Sequence, residues 1–169
     1  IGVIQPVKEI GEVCRENNII FFCDATQAIG KVKVDVEEDY IDMLCFSAHK
    51  INRPKGIGVL YKRNGLELTP LIHGGGQERG LRGGTYNTPL IVGLGKACEL
   101  AFNELKNNII TLIEKQKELE TYYEDNNIGI INFKNAPRAP HIVSITLNNI
   151  EAEEFLMIKA KEFAASTGS

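Results

Sequence analysis

The spacing of hydrophobic and polar residues changes several times along this chain. Val7, Ile10, Val13 and Cys14 fall three or four residues apart, which predicts one apolar face of a helix. Pro6 suits a first helical turn, and Asn17-Asn18 closes the segment. Ile19-Ile20-Phe21-Phe22-Cys23 is apolar without alternation, the pattern of a strand buried on both faces of a parallel sheet. Met43-Leu44-Cys45-Phe46 reads as a second strand and Ile57–Tyr61 as a third. After the cap-like pair Thr88-Pro89, helical periodicity runs from about Leu90 to about Asp125. That is long for one helix, so a bend or break is expected near Lys106–Asn108. The same point divides a larger α/β unit, residues 1–105, from a smaller α+β unit, residues 106–169. In the second unit Ile128–Phe133 and Ile142–Leu147 read as strands and Ala152–Phe163 as an amphipathic helix with a solvated Glu/Lys face.

Polar residues with chemical potential gather where the first two strands end. Ser47-Ala48-His49-Lys50 follows the second apolar run, and Pro54-Lys55-Gly56-Ile57-Gly58 follows closely. A free lysine titrates near ~10.4 and is almost all ammonium at neutral pH, so burial or a nearby cation is needed to make it nucleophilic. A lysine placed where a buried strand opens into a loop can form a Schiff base, and Ser47 and His49 beside it can hold an anion, most simply a phosphate. Lys55 reads as a surface charge. The first strand ends in Asp24-Ala25-Thr26-Gln27. Ligands of open α/β sheets bind beyond the carboxyl ends of the strands, so both clusters are delivered to one edge. Asp24 there either pairs with a protonated pyridine nitrogen or closes a strand-end turn or helix cap. Gln27 reaches either a ring hydroxyl or the backbone. The set matches the demands of pyridoxal phosphate.

Further along, His73-Gly-Gly-Gly-Gln-Glu-Arg79-Gly-Leu-Arg82-Gly-Gly-Thr85 forms a glycine-rich loop without the Gly-Lys-Ser/Thr of a P-loop. His73 by itself reads as a structural histidine. Arg79 and Arg82 read as solvated or interface charges. Taken with Asp24–Gln27, Ser47–Lys50 and Pro54–Gly58, this segment resembles the NifS/IscS group of cysteine desulfurases, within the class V aminotransferase superfamily. The resemblance extends from Ile1-Gly2-Val3-Ile4-Gln5-Pro6 to Ser166-Thr-Gly-Ser169, and the Gly74–Thr85 segment is its most specific part.

The resemblance implies a three-layer pyridoxal-phosphate fold of type I, with a partial, mostly parallel sheet followed by part of a small α+β domain. It implies that Lys50 carries the cofactor, with Lys50 and His49 as catalytic residues. Asp24 would pair with the ring nitrogen, Gln27 would contact the ring hydroxyl, and Ser47 and His49 would bind the phosphate. Thr85 would reach the phosphate of a neighbouring subunit, making a homodimer part of the site. The implied reaction takes sulfur from L-cysteine, releases alanine and leaves a persulfide on a loop cysteine. The sulfur then passes to an acceptor such as an iron–sulfur scaffold protein. Other class V enzymes, such as a selenocysteine lyase, would share Asp24, His49 and Lys50 but not Gly74–Thr85. A non-catalytic remnant paired with a full-length subunit is a reading of another class.

The chain departs from the family pattern in three places. It stops at Ser169, where the family places its persulfide cysteine within two further residues and its substrate-carboxylate arginine later still. The family's ring-stacking histidine, phosphate-binding loop and asparagine precede the position of Ile1. Arg53 stands where glycine is usual, which is expected to strain a turn. The sequence therefore reads as the central part of such an enzyme.

Composition changes this picture little. The chain has 169 residues, a formal net charge of −3 and 24% charged residues, which gives no reason to expect nucleic acid or an anionic membrane as partner. No apolar stretch approaches a membrane span. The four cysteines, Cys14, Cys23, Cys45 and Cys98, form no C-x-x-C and no metal-ligand spacing with the three histidines. They read as buried small hydrophobes in a reducing compartment, and the expected location is the cytoplasm, with organelle targeting left open.

Overall fold

The computed structural model describes residues 1–52, 55–159, 161–162 and 164–167. Arg53 and its expected strain lie outside the described residues. By internal contacts the chain divides into two compact units, one of residues 6–105 and one of residues 1–5 with 106–169.

In the first unit, strands β1 (Phe22–Asp24), β2 (Met43–Ser47) and β3 (Gly58–Lys62) lie in the order β1-β2-β3. β1 pairs parallel with β2, placing Asp24 opposite Cys45. β2 pairs antiparallel with β3, placing Cys45 opposite Leu60 and Ser47 opposite Gly58. Strand alternation sorts these residues into two sets. Cys23, Leu44, Phe46, Val59 and Tyr61 point into two apolar clusters. One is centred on Ala25, Ile41 and Leu44, and the other on Ala48, Ile51, Leu94 and Ala97. Phe22, Asp24, Cys45, Ser47 and Leu60 take the opposite face, where Phe22 and Leu60 remain 51% and 55% exposed. The expected burial on both faces is therefore corrected: Ile19 and Ile20 are exposed too, and β1 is covered on one side only. An apolar run shows that a strand contacts nonpolar surroundings, not how many faces the described residues cover.

Helix α1 spans Val7–Glu16. It ends where Asn18 takes a left-handed conformation and Ile19 N–H returns to the carbonyl of Cys14 at 2.8 Å. Its packed face differs from the expected one, because Ile10 and Val13 are exposed and Gly11 is buried. A β-carbon on Gly11 would stand 2.1 Å from the Asp39 carbonyl oxygen, so only glycine lets the helix approach the 35–40 turn. Below the sheet, Arg63 is a cross-link. Its Nη1 bonds both carboxylate oxygens of Glu37 at 2.9 and 2.8 Å. Its Nη2 bonds the carbonyls of Val36 and Ile41 at 3.0 and 2.9 Å.

Helix α2 runs unbroken from Thr88 to Asp125, which removes the expected break near Lys106–Asn108. No glycine or proline occurs between Lys96 and Asp125, and the three polar residues fit a helix without interrupting its backbone bonds. The helix starts on Asn87, whose side-chain Oδ1 accepts from Leu90 N–H at 3.4 Å, so Thr88 is its first residue and not its cap.

In the second unit β4 (Gly129–Ile131) pairs antiparallel with β5 (Ile145–Leu147), both shorter than expected. Phe133 takes a left-handed φ of 53°, ending the first strand early. Helix α3 covers Ala152–Lys159, and the expected extension to Phe163 reaches residues outside the description. Residues 1–5 are tied to 137–139: Ile4 N–H bonds the Pro137 carbonyl at 2.9 Å and Ala139 N–H bonds Gly2 at 2.8 Å. Gln116 and Glu120 of α2 hold the same segment, Gln116 through the carbonyls of Ala139 and Ile142 at 3.3 and 2.8 Å. Among the described residues no helix is long and apolar enough to cross a membrane.

Candidate functional site

Because β1 and β2 are parallel, their carboxyl ends reach the same edge of the sheet. Asp24 is the last residue of β1 and is exposed, and Gln27 is exposed in the turn that follows. Ser47 ends β2, half-buried. Ala48–Ile51 then forms a 3-10 turn carrying exposed His49 and half-buried Lys50. The turn is pinned from below, because Ala48 and Ile51 are buried in the cluster with Leu94 and Ala97. It is tied sideways as well, since Ala48 N–H bonds the Ile57 carbonyl at 3.1 Å. Asn52 reverses the chain with a left-handed φ of 61°. The lysine thus stands on a turn whose two apolar residues anchor it and whose two polar residues lie outside the core.

Asp24 is held in its charged form. The Thr26 hydroxyl and backbone N–H pull its carboxyl below the ordinary carboxylate value, the backbone bond to Oδ1 being 2.9 Å. The Cys45 thiol adds to the same effect from β2. Burial, and then the charge of Asp24, push the Cys45 thiol up. Cys23, behind the sheet, is pushed up by burial and then by Asp24, Asp39 and Cys45. All four cysteines are half-buried and free.

Thr85 stands apart from this edge. It is exposed at the end of the glycine loop, two residues ahead of the α2 cap, and among the described residues no hydrogen bond joins it to the other five. The loop folds on itself. Gly74 and Gly83 pack backbone to backbone, such that a β-carbon on Gly83 would lie 2.8 Å from the Cα of Gly74. Glu78 and Arg79 both take left-handed conformations, with φ of 50° and 57°. The Glu78 N–H donates to the Tyr86 hydroxyl at 2.9 Å, and Gly84 N–H donates to Gln77 Oε1 at 3.2 Å. His73, Arg79 and Arg82 are exposed, and Arg82 Nη1 bonds the carbonyl of Gly83 at 2.9 Å.

Two neighbours of Asp24 carry no site role in the sequence pattern, Thr26 through its bond and Cys45 through its register. Thr26 lay inside the Asp24–Gln27 motif without a role of its own. Cys45 was read as core, yet it stands two residues before Ser47 and so shares its face.

The carboxyl ends of the parallel strands β1 and β2 thus bring together a carboxylate, a lysine, a hydroxyl and an imidazole. The model of the class V aminotransferase family matches residues 1–169. The chain belongs to this family. It is 46% identical over 170 residues to a cysteine desulfurase IscS of Methanosarcina thermophila, covering 100% of this chain and 42% of that protein. It is 44% identical over 171 residues to a mitosomal cysteine desulfurase of Encephalitozoon cuniculi, covering 100% of this chain and 39% of that protein. A NifS-like protein of Rickettsia africae superposes with a TM-score of 0.92 at 30% identity, over 99% of this chain and 47% of that one. The family resemblance read from the sequence is thereby shown, and the fold is the α/β fold of the NifS-like structures. The chain spans about two fifths of the length of these curated relatives, 42% and 39%.

Proposed function

We propose that this chain supplies the lysine-bearing part of a pyridoxal-phosphate-dependent cysteine desulfurase. The observation that carries the proposal is the pairing of an ionised Asp24 with the anchored Ser47–Lys50 turn on neighbouring parallel strands. The donor set fits the cofactor. An ionised carboxylate suits a protonated ring nitrogen, an amine suits the aldehyde, and a hydroxyl with an imidazole suits the phosphate. In this reading residues 6–105 belong to the cofactor domain and the second unit to the smaller domain.

When bound, pyridoxal phosphate supplies an electron sink that weakens the bonds to the α-carbon of an amino acid. The residues of this chain take the roles that their chemistry suits. Lys50 would hold the cofactor through Nζ and would take and return a proton at that atom. Asp24 keeps the ring nitrogen protonated, Gln27 orients the ring, Ser47 and His49 hold the phosphate, and Thr85 serves the phosphate of a second subunit. The substrate is L-cysteine, the products are alanine and a persulfide on a cysteine thiolate, and the sulfur passes to an acceptor protein. Iron–sulfur assembly is the proposed destination, because the similar proteins include desulfurases named IscS.

The test is reduction with borohydride after incubation with pyridoxal phosphate, followed by peptide mapping. A pyridoxyl group on Lys50 supports the reading. An adduct on Lys55 instead, or none on the intact protein, overturns it.

A further inference from the structure

Asp24 and Cys45 are register partners across the β1–β2 pair, so their side chains stand side by side on the open face of the sheet. The register is fixed beside them, because the backbone carbonyl of Cys45 accepts from Ala25 N–H at 2.9 Å. Thr26 bonds the carboxylate from the turn that follows β1, and Cys45 stands beside it on β2. A carboxylate meant to meet one ring nitrogen must be fixed in rotation as well as in charge. A donor on each side does that where one would leave it free to turn.

We propose that Cys45 is a positioning residue for Asp24, an S–H donor that fixes the carboxylate together with Thr26, and that Asp24 in return keeps this thiol from reacting. The functional meaning rests on the reading of Asp24 as the partner of the cofactor ring, whereas the coupling is a property of the chain itself. The reciprocal half matters in a site that handles sulfur. Thiolates, not thiols, attack sulfur, and a thiolate beside the substrate would compete with the intended acceptor cysteine. Among the described residues two charged groups share the face of Cys45 on the neighbouring strands. Asp24 faces it from β1. Lys62 shares its face on β3 but spends its Nζ on the carbonyls of Leu66 and Arg63, at 2.6 and 3.3 Å. The core face behind carries Cys23, itself held as a thiol, with Asp39 acting on Cys23.

The test uses the intact protein without cofactor. Alkylation of Cys45 by iodoacetamide, followed by peptide mass, is measured against pH in the wild type and in Asp24→Asn. The midpoint is expected to move to lower pH in Asp24→Asn, with the rate at about pH 8 rising roughly threefold or more and the alkaline plateau unchanged. The plateau reports access and the midpoint reports coupling. In parallel, the Asp24 carboxyl is titrated by carbon NMR. Cys45→Ala is expected to titrate at higher pH than wild type, and Cys45→Ser, which keeps a donor, to match wild type. Unchanged midpoints in both experiments overturn the proposal, whether or not Lys50 takes a pyridoxyl group. Intact coupling without an adduct at Lys50 upholds the Asp24–Cys45 pair and removes the cofactor reading instead.

Discussion

The backbone N–H of Thr26 donates to Oδ1 of Asp24 at 2.9 Å, closing an Asx turn at the carboxyl end of β1. The turn and the charge share one partner, since Thr26 favours the carboxylate first through its hydroxyl and then through the bond that reverses the chain. Because the folded value of Asp24 is depressed, its contribution to stability is present above the ordinary carboxylate range and is lost as pH falls through the folded value. The pH dependence of urea unfolding is expected to show this loss on the acid side. Asp24→Asn should flatten it, and a mutant curve that overlays the wild type would remove the role of the turn.

Lys50 lies between two buried anchors of a short turn, and among the described residues no hydrogen bond of its Nζ holds that turn. Lys50→Arg is therefore expected to abolish the borohydride-stable pyridoxyl adduct while changing stability by less than about 1 kcal/mol. Intact mass and a urea melt of the same sample check both halves. A lost adduct with a large loss of stability would show that the lysine supports the turn.

Arg138 grips Glu120 with both arms, Nη1 to Oε1 at 2.5 Å and Nη2 to Oε2 at 3.0 Å, with side chains only 13% and 10% exposed. Removing one partner of such a pair leaves a buried charge alone. Glu120→Ala is expected to cost about 3–5 kcal/mol in the unit that contains it. The double variant Glu120→Leu with Arg138→Met should cost less than either single change, and urea midpoints decide it.

Arg63 binds the carboxylates of Glu37 and Asp42 and two carbonyls through its planar fork, which a lysine cannot imitate. Arg63→Lys keeps the charge and is expected to cost about 1–3 kcal/mol, mainly through unsatisfied carbonyls of Val36 and Ile41. A loss close to zero would assign the arginine to solvent-screened surface pairing.

The elements that position the site were legible because strand ends and turn residues are local signals. Asp24 and Ser47 end apolar runs, and a parallel pairing brings such ends together. What the pattern did not show depended on partners distant in sequence. Gly11 carries no hydrophobicity, yet it is the buried centre of α1, because the Asp39 carbonyl arrives from a different segment. The unbroken α2 was obscured because Lys106, Asn107 and Asn108 are polar, and polarity interrupts an apolar face without interrupting a helix. Cys45 was hidden for the opposite reason: an apolar run conceals which of its members look away from the core.

That concealed alternation limits how this sequence can drift. Leu44 and Phe46 serve the core while Cys45 and Ser47 serve the open face, interleaved within five residues of β2. Losing or gaining one residue between Asp42 and Ser47 would exchange the two sets and turn the Ser47 hydroxyl into the core. Swaps of similar side chains leave that order intact. In this stretch length is guarded more closely than identity, and tolerated insertions belong in the turns on either side.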